Sequence, residues 1–188
     1  MKEQRELIIQ EARSLPGCSV FYGAHAASGF LLSAAARFAL SVPVTLLDFG
    51  NRCDMYFAAR ELRGLTRDPA AAMNRIRLRR AFTCYQAVNL LETQRRDPHP
   101  LVILDLLTPF LDENIPQQEA VRLFYKALQD IHEIGEKRRI LIGIRSIPVQ
   151  AANRAFFLEK IRQRESIRFL DTLQDAPDAL PDPQLRLF

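Results

Sequence analysis

The chain alternates short, continuous apolar runs with longer stretches in which apolar residues recur every three or four positions. The short runs are typical of buried strands and lie at residues 19–22, 42–48, 101–106 and 140–144. The helical periodicity predicts helices over residues 30–39, 55–62, 85–94 and 117–134. Strands that alternate with helices in this way predict an α/β fold, in which helices flank an open, mostly parallel β-sheet through right-handed crossovers.

The two ends of the chain differ from this central pattern. Residues 3–15 predict a short amphipathic helix that ends at the pair Pro16-Gly17, and residues 149–173 predict a basic helix. Residues 174–183 contain three prolines and three aspartates, which favours an extended tether. We therefore expect an N-terminal helix over 1–17, an α/β domain over 18–173 and a flexible tail over 174–188.

Composition narrows the class of protein. A chain of 188 residues fits one domain with an appendage, and its formal charge of +4 permits a polyanionic partner without requiring one. Three cysteines without C-x-x-C spacing suggest neither a disulfide framework nor a zinc site. The first residues mix acidic and basic side chains, unlike a secretory signal, and the uncharged stretch 18–36 fits a strand, turn and helix better than a membrane span. We expect a cytoplasmic protein.

The loop after the first strand stands where α/β sheets bind phosphates, because backbone N–H groups converge there at a helix N-terminus. The working phosphate loop has the pattern G-x-x-x-x-G-K-[ST]. If Gly29 is aligned with the second glycine of that pattern, Phe30 replaces the lysine and Leu31 replaces the hydroxyl residue. The sequence thus predicts a degenerate phosphate loop that contains the following residues: Gly23, His25, Ser28, Gly29 and Phe30.

The succession of elements resembles the RecA/RadA core ATPase family over roughly residues 19–146. A strand ends in Asp48, residues 80–82 lead into a helix, and a strand ending in Asp105 is followed by Leu-Leu-Thr-Pro-Phe. The resemblance implies a P-loop NTPase-like fold in which Asp105 is a residual Walker B-like residue that would contact magnesium through its outer shell. A β-α turn of a doubly wound fold without any ATP-binding ancestry is the alternative.

The sequence also departs from the family at the positions that carry catalysis. Phosphate-loop lysine and hydroxyl residues are absent, and Phe49-Gly50-Asn51 stands where the family has a glutamate after the second strand. Loss of the lysine removes charge compensation on which phosphoryl transfer depends. We expect no catalytic residue, no metal and no cofactor, with ATP and magnesium binding not expected. A nucleotide hydrolase with a non-standard phosphate loop is the alternative.

The last five residues resemble the bacterial sliding-clamp binding motif, a glutamine followed by Leu-x-Leu-Phe. Leu187 and Phe188 would fill an apolar pocket, Leu185 a neighbouring one, and the Gln184 amide would hydrogen-bond at the rim. Four fixed positions match by chance about once in 10⁴ to 10⁵ windows. The alternative is that these apolar residues fold back onto their own domain.

Arginines alternate with aliphatic residues over 75–80. In a strand, Arg75, Arg77 and Arg79 would share one face, and Arg80 adds a fourth charge, so this segment could contact DNA. A charged edge strand that resists aggregation is the alternative.

Together these features predict a non-catalytic accessory or scaffold protein in bacterial DNA repair, recombination or translesion synthesis. Its expected partner is the DNA polymerase sliding clamp, with a RecA-fold protein or a translesion polymerase as a further candidate partner. No membrane partner is expected.

Overall fold

The computed structural model describes residues 16–171, so the predicted N-terminal helix and the pentapeptide Gln184 to Phe188 lie outside the described residues. Within this part of the chain the strands are β1 (Gly17–Gly23), β2 (Val44–Asp48), β3 (Ile76–Arg80), β4 (Leu101–Leu104), β5 (Arg139–Arg145) and β6 (Ile167–Asp171). The α-helices are α1 (Ser28–Ala39), α2 (Met55–Leu65), α3 (Pro69–Met73), α4 (Cys84–Gln94), α5 (Gln117–Gly135) and α6 (Phe156–Arg162). Two 3₁₀ turns, Thr108–Phe110 and Val149–Arg154, follow β4 and β5.

The strands form one six-stranded sheet in the order β3-β2-β4-β5-β1-β6, and every pairing is parallel. This confirms the predicted α/β class with a parallel sheet. The first two connections run toward the β3 edge, and the following three run toward the β6 edge. The chain therefore reverses direction once, at β3. As a result the connections that leave β1 and its neighbour β5 run in opposite directions, and so do those that leave β2 and its neighbour β4.

Helices cover both faces of the sheet. Helices α1 to α3 pack on one face, where Leu31 and Leu46 belong to the buried cluster. Helices α4 to α6 pack on the other, where Phe124 and Phe157 are fully buried against strands β1, β4 and β5. Because both faces are covered, β2 and β4 consist of buried residues throughout, which explains their continuous apolar runs.

The prediction of one basic helix over 149–173 is wrong. The structure divides this segment into a 3₁₀ turn, the short helix α6 and the strand β6, which pairs with residues 18–22 of β1. In β6, Ile167 and Phe169 pack on the α4–α6 side and Leu170 packs on the α1 side. This alternation is the period of a strand, and the adjacent β1 supplies the hydrogen-bonding partner.

The short helix α3 was not predicted. Its start follows a familiar pattern, because Asp68 accepts a hydrogen bond from the Ala71 N–H and Pro69 occupies the first turn. The uncharged stretch 18–36 forms β1, a turn and most of α1, as expected. Among residues 16–171, no helix has the length and apolar character needed to cross a membrane.

Candidate functional site

A cleft of about 490 Å³ opens at the carboxyl ends of β1, β4 and β5. Parallel α/β sheets bind ligands at such an edge where neighbouring strands send their connections to opposite faces, because the loops separate there. Strands β1 and β5 are such neighbours, because the connection from β1 leads to β2 and the connection from β5 leads to β6 in the opposite direction. The residues that line the cleft include Ala24, Asp105, Thr108, Asn114, Arg145 and Ser146.

Asp105 is the buried acidic group of this cleft. It directly follows β4, it is 3% exposed, and its backbone adopts the left-handed conformation with φ of 59°. Arg145, at the end of β5, donates a hydrogen bond from Nε to Asp105 Oδ1 at 2.8 Å. Burial raises the pKa of Asp105, and the Arg145 charge opposes that rise. Shifted carboxyl groups in clefts occur at functional sites and also in structural ion pairs.

Gly50, in the loop after β2, leaves room for the Asp105 side chain. A Cβ atom at Gly50 would lie 2.0 Å from Asp105 Oδ2 and 2.7 Å from Asp105 Cβ. The Asp105 side chain therefore occupies the space that any side chain at position 50 would need.

The loop after β1 lies directly on β5. A Cβ at Gly143 of β5 would approach the Ala26 carbonyl oxygen to 2.6 Å and Leu31 Cδ1 to 2.7 Å, so glycine is required by this contact. Ala26 and Ala27 are buried with φ of 53° and 50°, in the left-handed region that glycine normally supplies. The loop reaches its compact shape without glycine at these two positions, at a cost of about 1 kcal/mol per residue.

None of the predicted phosphate-loop residues lines the cleft, although Ala24 of the same loop does. The Gly23 carbonyl accepts from Ala26 N–H, and the exposed His25 turns its carbonyl to the Ser28 N–H and hydroxyl, at 3.0 and 2.6 Å. Ser28 and Gly29 begin α1. Phe30, at the position of the missing lysine, is 9% exposed and packs on Phe21 with ring centroids 4.9 Å apart. Its side chain belongs to the core and does not face the cleft.

Arg154 fixes the wall of the cleft. Its buried guanidinium donates to the Phe110 carbonyl at 2.9 Å and to the Ile115 carbonyl, so it holds the segment after β4 in place. Neither Arg145, which lines the cleft, nor Arg154, which holds the segment after β4, was identified from the sequence as part of this site. Arg145 ends the buried strand β5, and Asp105 follows the buried strand β4. Opposite charges at the ends of two apolar runs are the sequence signal that could have indicated this ion pair.

The predicted basic strand is only partly as expected. Arg77 and Arg79 are exposed and lie on one face of β3, which is an edge strand. Arg75 precedes β3, and its Nη1 donates to the Ala39 and Leu40 carbonyls at 3.0 and 3.3 Å, where it satisfies the C-terminus of α1. The prediction that Arg75 shares the face of Arg77 and Arg79 is therefore wrong.

Arg80 has a different partner from the other arginines of this segment. Its Nε lies 3.3 Å from Oδ2 of Asp48, which is fully buried at the end of β2. Asp48 also accepts the backbone N–H groups of Arg52 and Cys53 at 3.1 and 3.0 Å. One carboxylate thus ties the loop after β2 to the end of β3.

The family models that were compared with the sequence contain no match to this chain. Among curated proteins, none has significant sequence similarity to it. Within residues 16–171, no group of three or more His, Cys, Asp and Glu side chains is arranged to hold a metal ion.

Proposed function

We propose that this protein is a non-catalytic, RecA-like accessory or scaffold protein in bacterial DNA repair, recombination or translesion synthesis. In this proposal it binds the replication sliding clamp through Gln184, Leu185, Leu187 and Phe188. The observation that carries the non-catalytic part is the placement of Phe30. Where phosphoryl transfer needs a lysine at the phosphates, this chain has an aromatic ring packed into the core.

Two features support the RecA-like interpretation. Ala24 of the loop after β1 and the acidic residue after β4 line the same cleft, which is where a nucleotide site built on these elements would lie. The same cleft contains an internal ion pair between Asp105 and Arg145. A guanidinium at hydrogen-bonding distance from Asp105 supplies the positive charge that a bound cation would otherwise bring.

The spacing of the tail supports the clamp-binding part. Gln184 follows Asp171, the last residue of β6, by thirteen positions that include three prolines. An extended proline-rich segment rises about 3 Å per residue, so this spacer can span up to about 40 Å. That length is sufficient to present a pentapeptide to a partner clear of the α/β domain. Docking of a restricted segment also loses less conformational entropy than docking of a fully flexible one.

The tail is tested with a purified bacterial sliding clamp immobilised on a biosensor. The full chain, a chain truncated after Pro183, and a Leu187→Ala Phe188→Ala double variant are compared, with Leu180→Ala as the control for loss of an apolar side chain from the same segment. We expect micromolar binding by the full chain and by Leu180→Ala, and none by the other two. Equal binding of the truncated and full chains would contradict the proposal.

A nucleotide hydrolase with a non-standard phosphate loop is the second candidate. The cleft and its buried Asp105, whose pKa is raised by burial, favour this candidate because such groups occur at active sites. It requires a magnesium-dependent rise of the melting temperature with ATP that is lost in Asp105→Ala. The scaffold proposal expects no such rise in either protein, so one thermal-shift series separates the two functions.

A further inference from the structure

A groove of about 230 Å³ opens at the amino ends of β1 and β6, at the end of the sheet opposite the cleft. Its walls come from these two strands and from the second half of α5. The residues that line it include Gly17, Cys18, Leu128, Ile131, His132 and Ile167. We refer to the space between these residues as the amino-end groove. Its lining is apolar except at His132.

The groove exists because α6 is short. A helix of seven residues rises about 10 Å, and none of the α6 residues lines the groove. Arg162, the last residue of α6, places its guanidinium over the rings of Tyr22 and Phe169, at 5.3 and 4.8 Å from their centroids. Cys18 and Ile167 pair at the start of the two strands. In the described part of the chain, no helix other than α5 lines the groove above this pair.

One side of α5 continues the groove along the helix. Its residues recur at intervals of three or four and therefore share that side: Val121, Tyr125, Leu128 and His132. Tyr125 is 44% exposed, and Val121 is partly buried against the core. The ion pair that joins α5 to α4 involves Lys126, on another side of the helix. The side that continues the groove spans about 17 Å from Val121 to His132.

The chain enters β1 at this groove, because Gly17 is part of the lining. The sequence predicts an amphipathic helix over residues 3–15, whose apolar side consists of Leu7, Ile8, Ala12 and Leu15. A helix of this length spans about 20 Å, which is close to the length of the groove along α5. An isolated helix of this length is marginal in water, so it depends on packing of its apolar side.

We infer that residues 3–15 dock in the amino-end groove and along the adjoining side of α5, with their apolar side against it. The connection to the groove is one residue, Pro16, so the local concentration of this segment far exceeds that of a separate partner. The tail also has clustered apolar residues, but it leaves the sheet after Asp171, at the far end of β6. Docking completes the cover of the α4–α6 face and does not rest on the proposed function.

Amide hydrogen exchange of the full chain, followed by mass spectrometry, tests this docking. The apolar-side variant, Leu7→Asp with Ile8→Asp, places two charges where the segment would meet the groove. Peptides from residues 3–15 are expected to exchange at least about tenfold more slowly in the unaltered protein than in this variant. The opposite-side control, Gln10→Asp with Arg13→Gln, makes the same change in charge on the other side of the predicted helix and is expected to keep the protection.

The groove is tested from α5 by Tyr125→Asp. Because Tyr125 is partly exposed, we expect this variant to fold, as thermal melts verify, while residues 3–15 lose their protection. Tyr56→Asp changes a ring that is 90% exposed at the start of α2, on the other face of the sheet, and is expected to leave the protection unchanged. Alkylation of Cys18 is expected to be faster in the apolar-side variant, whereas the fully buried Cys84 of α4 should react at an unchanged rate.

The inference is overturned if residues 3–15 exchange as fast in the unaltered protein as in the apolar-side variant. It is also overturned if the opposite-side control loses as much protection, or if Tyr125→Asp keeps it in full. Exchange and light scattering are measured at two protein concentrations about a hundredfold apart. Protection that requires a dimer would show that the segment covers the groove of a second copy, and would overturn docking within one chain. The chain truncated after Pro183 is expected to keep the protection, so failure of clamp binding affects the tail proposal alone.

Discussion

Asp48 and Asp105 are two buried carboxylates at the same edge of the sheet, each paired with an arginine from a neighbouring strand. Asp48 ends β2 and pairs with Arg80 at 3.3 Å, while Asp105 follows β4 and pairs with Arg145 at 2.8 Å. From the sequence the two positions appear equivalent, since each is an aspartate after a buried apolar run. Their surroundings differ.

The difference lies in the number of donors that each carboxylate receives. Asp48 accepts two backbone N–H groups in addition to its arginine, which accounts for both of its oxygens. Asp105 accepts one hydrogen bond from Arg145 at Oδ1, and its backbone has a left-handed φ. Burial raises the pKa of Asp105 because its loss of water is only partly compensated. Asp48 therefore holds two loops together, as a structural tie. Asp105 instead forms part of the cleft wall and has a raised pKa.

The largest effect expected from this comparison is on stability. Asp48→Ala takes the acceptor from two backbone N–H groups and removes a fully buried carboxylate that pairs with Arg80, so we expect a loss of about 3 kcal/mol in the free energy of unfolding. Asp105→Ala also takes the partner from an arginine, Arg145, but it deprives no backbone N–H of its acceptor and relieves a carboxylate whose pKa burial raises, so we expect a smaller loss of about 1 kcal/mol. Urea unfolding followed by circular dichroism measures both.

Asp54→Ala is the control for Asp48→Ala, because Asp54 also accepts two backbone N–H groups but is exposed at the start of α2. We expect this variant to lose about 1 kcal/mol, as for a helix cap. If Asp105→Ala destabilised the protein as much as Asp48→Ala, the distinction between a structural tie and a cleft wall would be wrong.

The contact between Gly50 and Asp105 gives the second effect. Gly50→Ala places a Cβ against the Asp105 carboxylate, so we expect a loss of about 2 kcal/mol in the free energy of unfolding. In the double variant with Asp105→Ala the carboxyl group is gone, and only the Cβ of residue 105 remains as an obstacle, 2.7 Å from the added Cβ. The two changes should then be less costly together than the sum of the single changes, and a double-mutant cycle measures this coupling. Additive losses would show that the Asp105 carboxyl group is not the obstacle to a side chain at residue 50.

Much of the sheet could be predicted from the sequence, and the exception is informative. The runs that became β2 and β4 are covered on both faces, so their composition is continuously apolar. The strand β6 lies at an edge beside β1, and arginine interrupts its apolar residues. A short segment of alternating apolar and polar residues after a basic helix is hard to distinguish from a continuation of that helix by its sequence pattern alone. What makes it a strand is its pairing with β1, which lies far away in the sequence.

The site was less predictable because it depends on which strands are neighbours. Asp105 stood out as an acidic residue after an apolar run, but its pairing with Arg145 requires that β4 and β5 be adjacent. Arg75 shows the same limit: its alternation with aliphatic residues fits a strand face, yet the end of α1 lies close enough to bind its guanidinium. Periodicity predicts the face of an element and not the neighbour that meets it.

The smallest effect expected is on the pH dependence of stability, and it tests the electrostatic part of the comparison. Because burial raises the pKa of Asp105 above its value in the unfolded chain, the folded protein retains this proton to higher pH. The stabilising contribution of Asp105 is complete below the unfolded pKa of about 3.9 and is lost as the pH rises through the higher pKa of the folded state.

Asp105→Asn removes this titration. Urea titration between pH 3.5 and pH 7, in steps of about half a pH unit, measures the free energy of unfolding of the unaltered protein and of Asp105→Asn. As the pH rises, the stability of the unaltered protein should fall relative to that of the variant. Asp130, whose pKa is also raised by burial, is present in both proteins and cancels in the difference. A difference that moved in favour of the unaltered protein as the pH rises would mean that Arg145 outweighs the burial of Asp105, and the contrast between the two carboxylates would then reduce to backbone geometry alone.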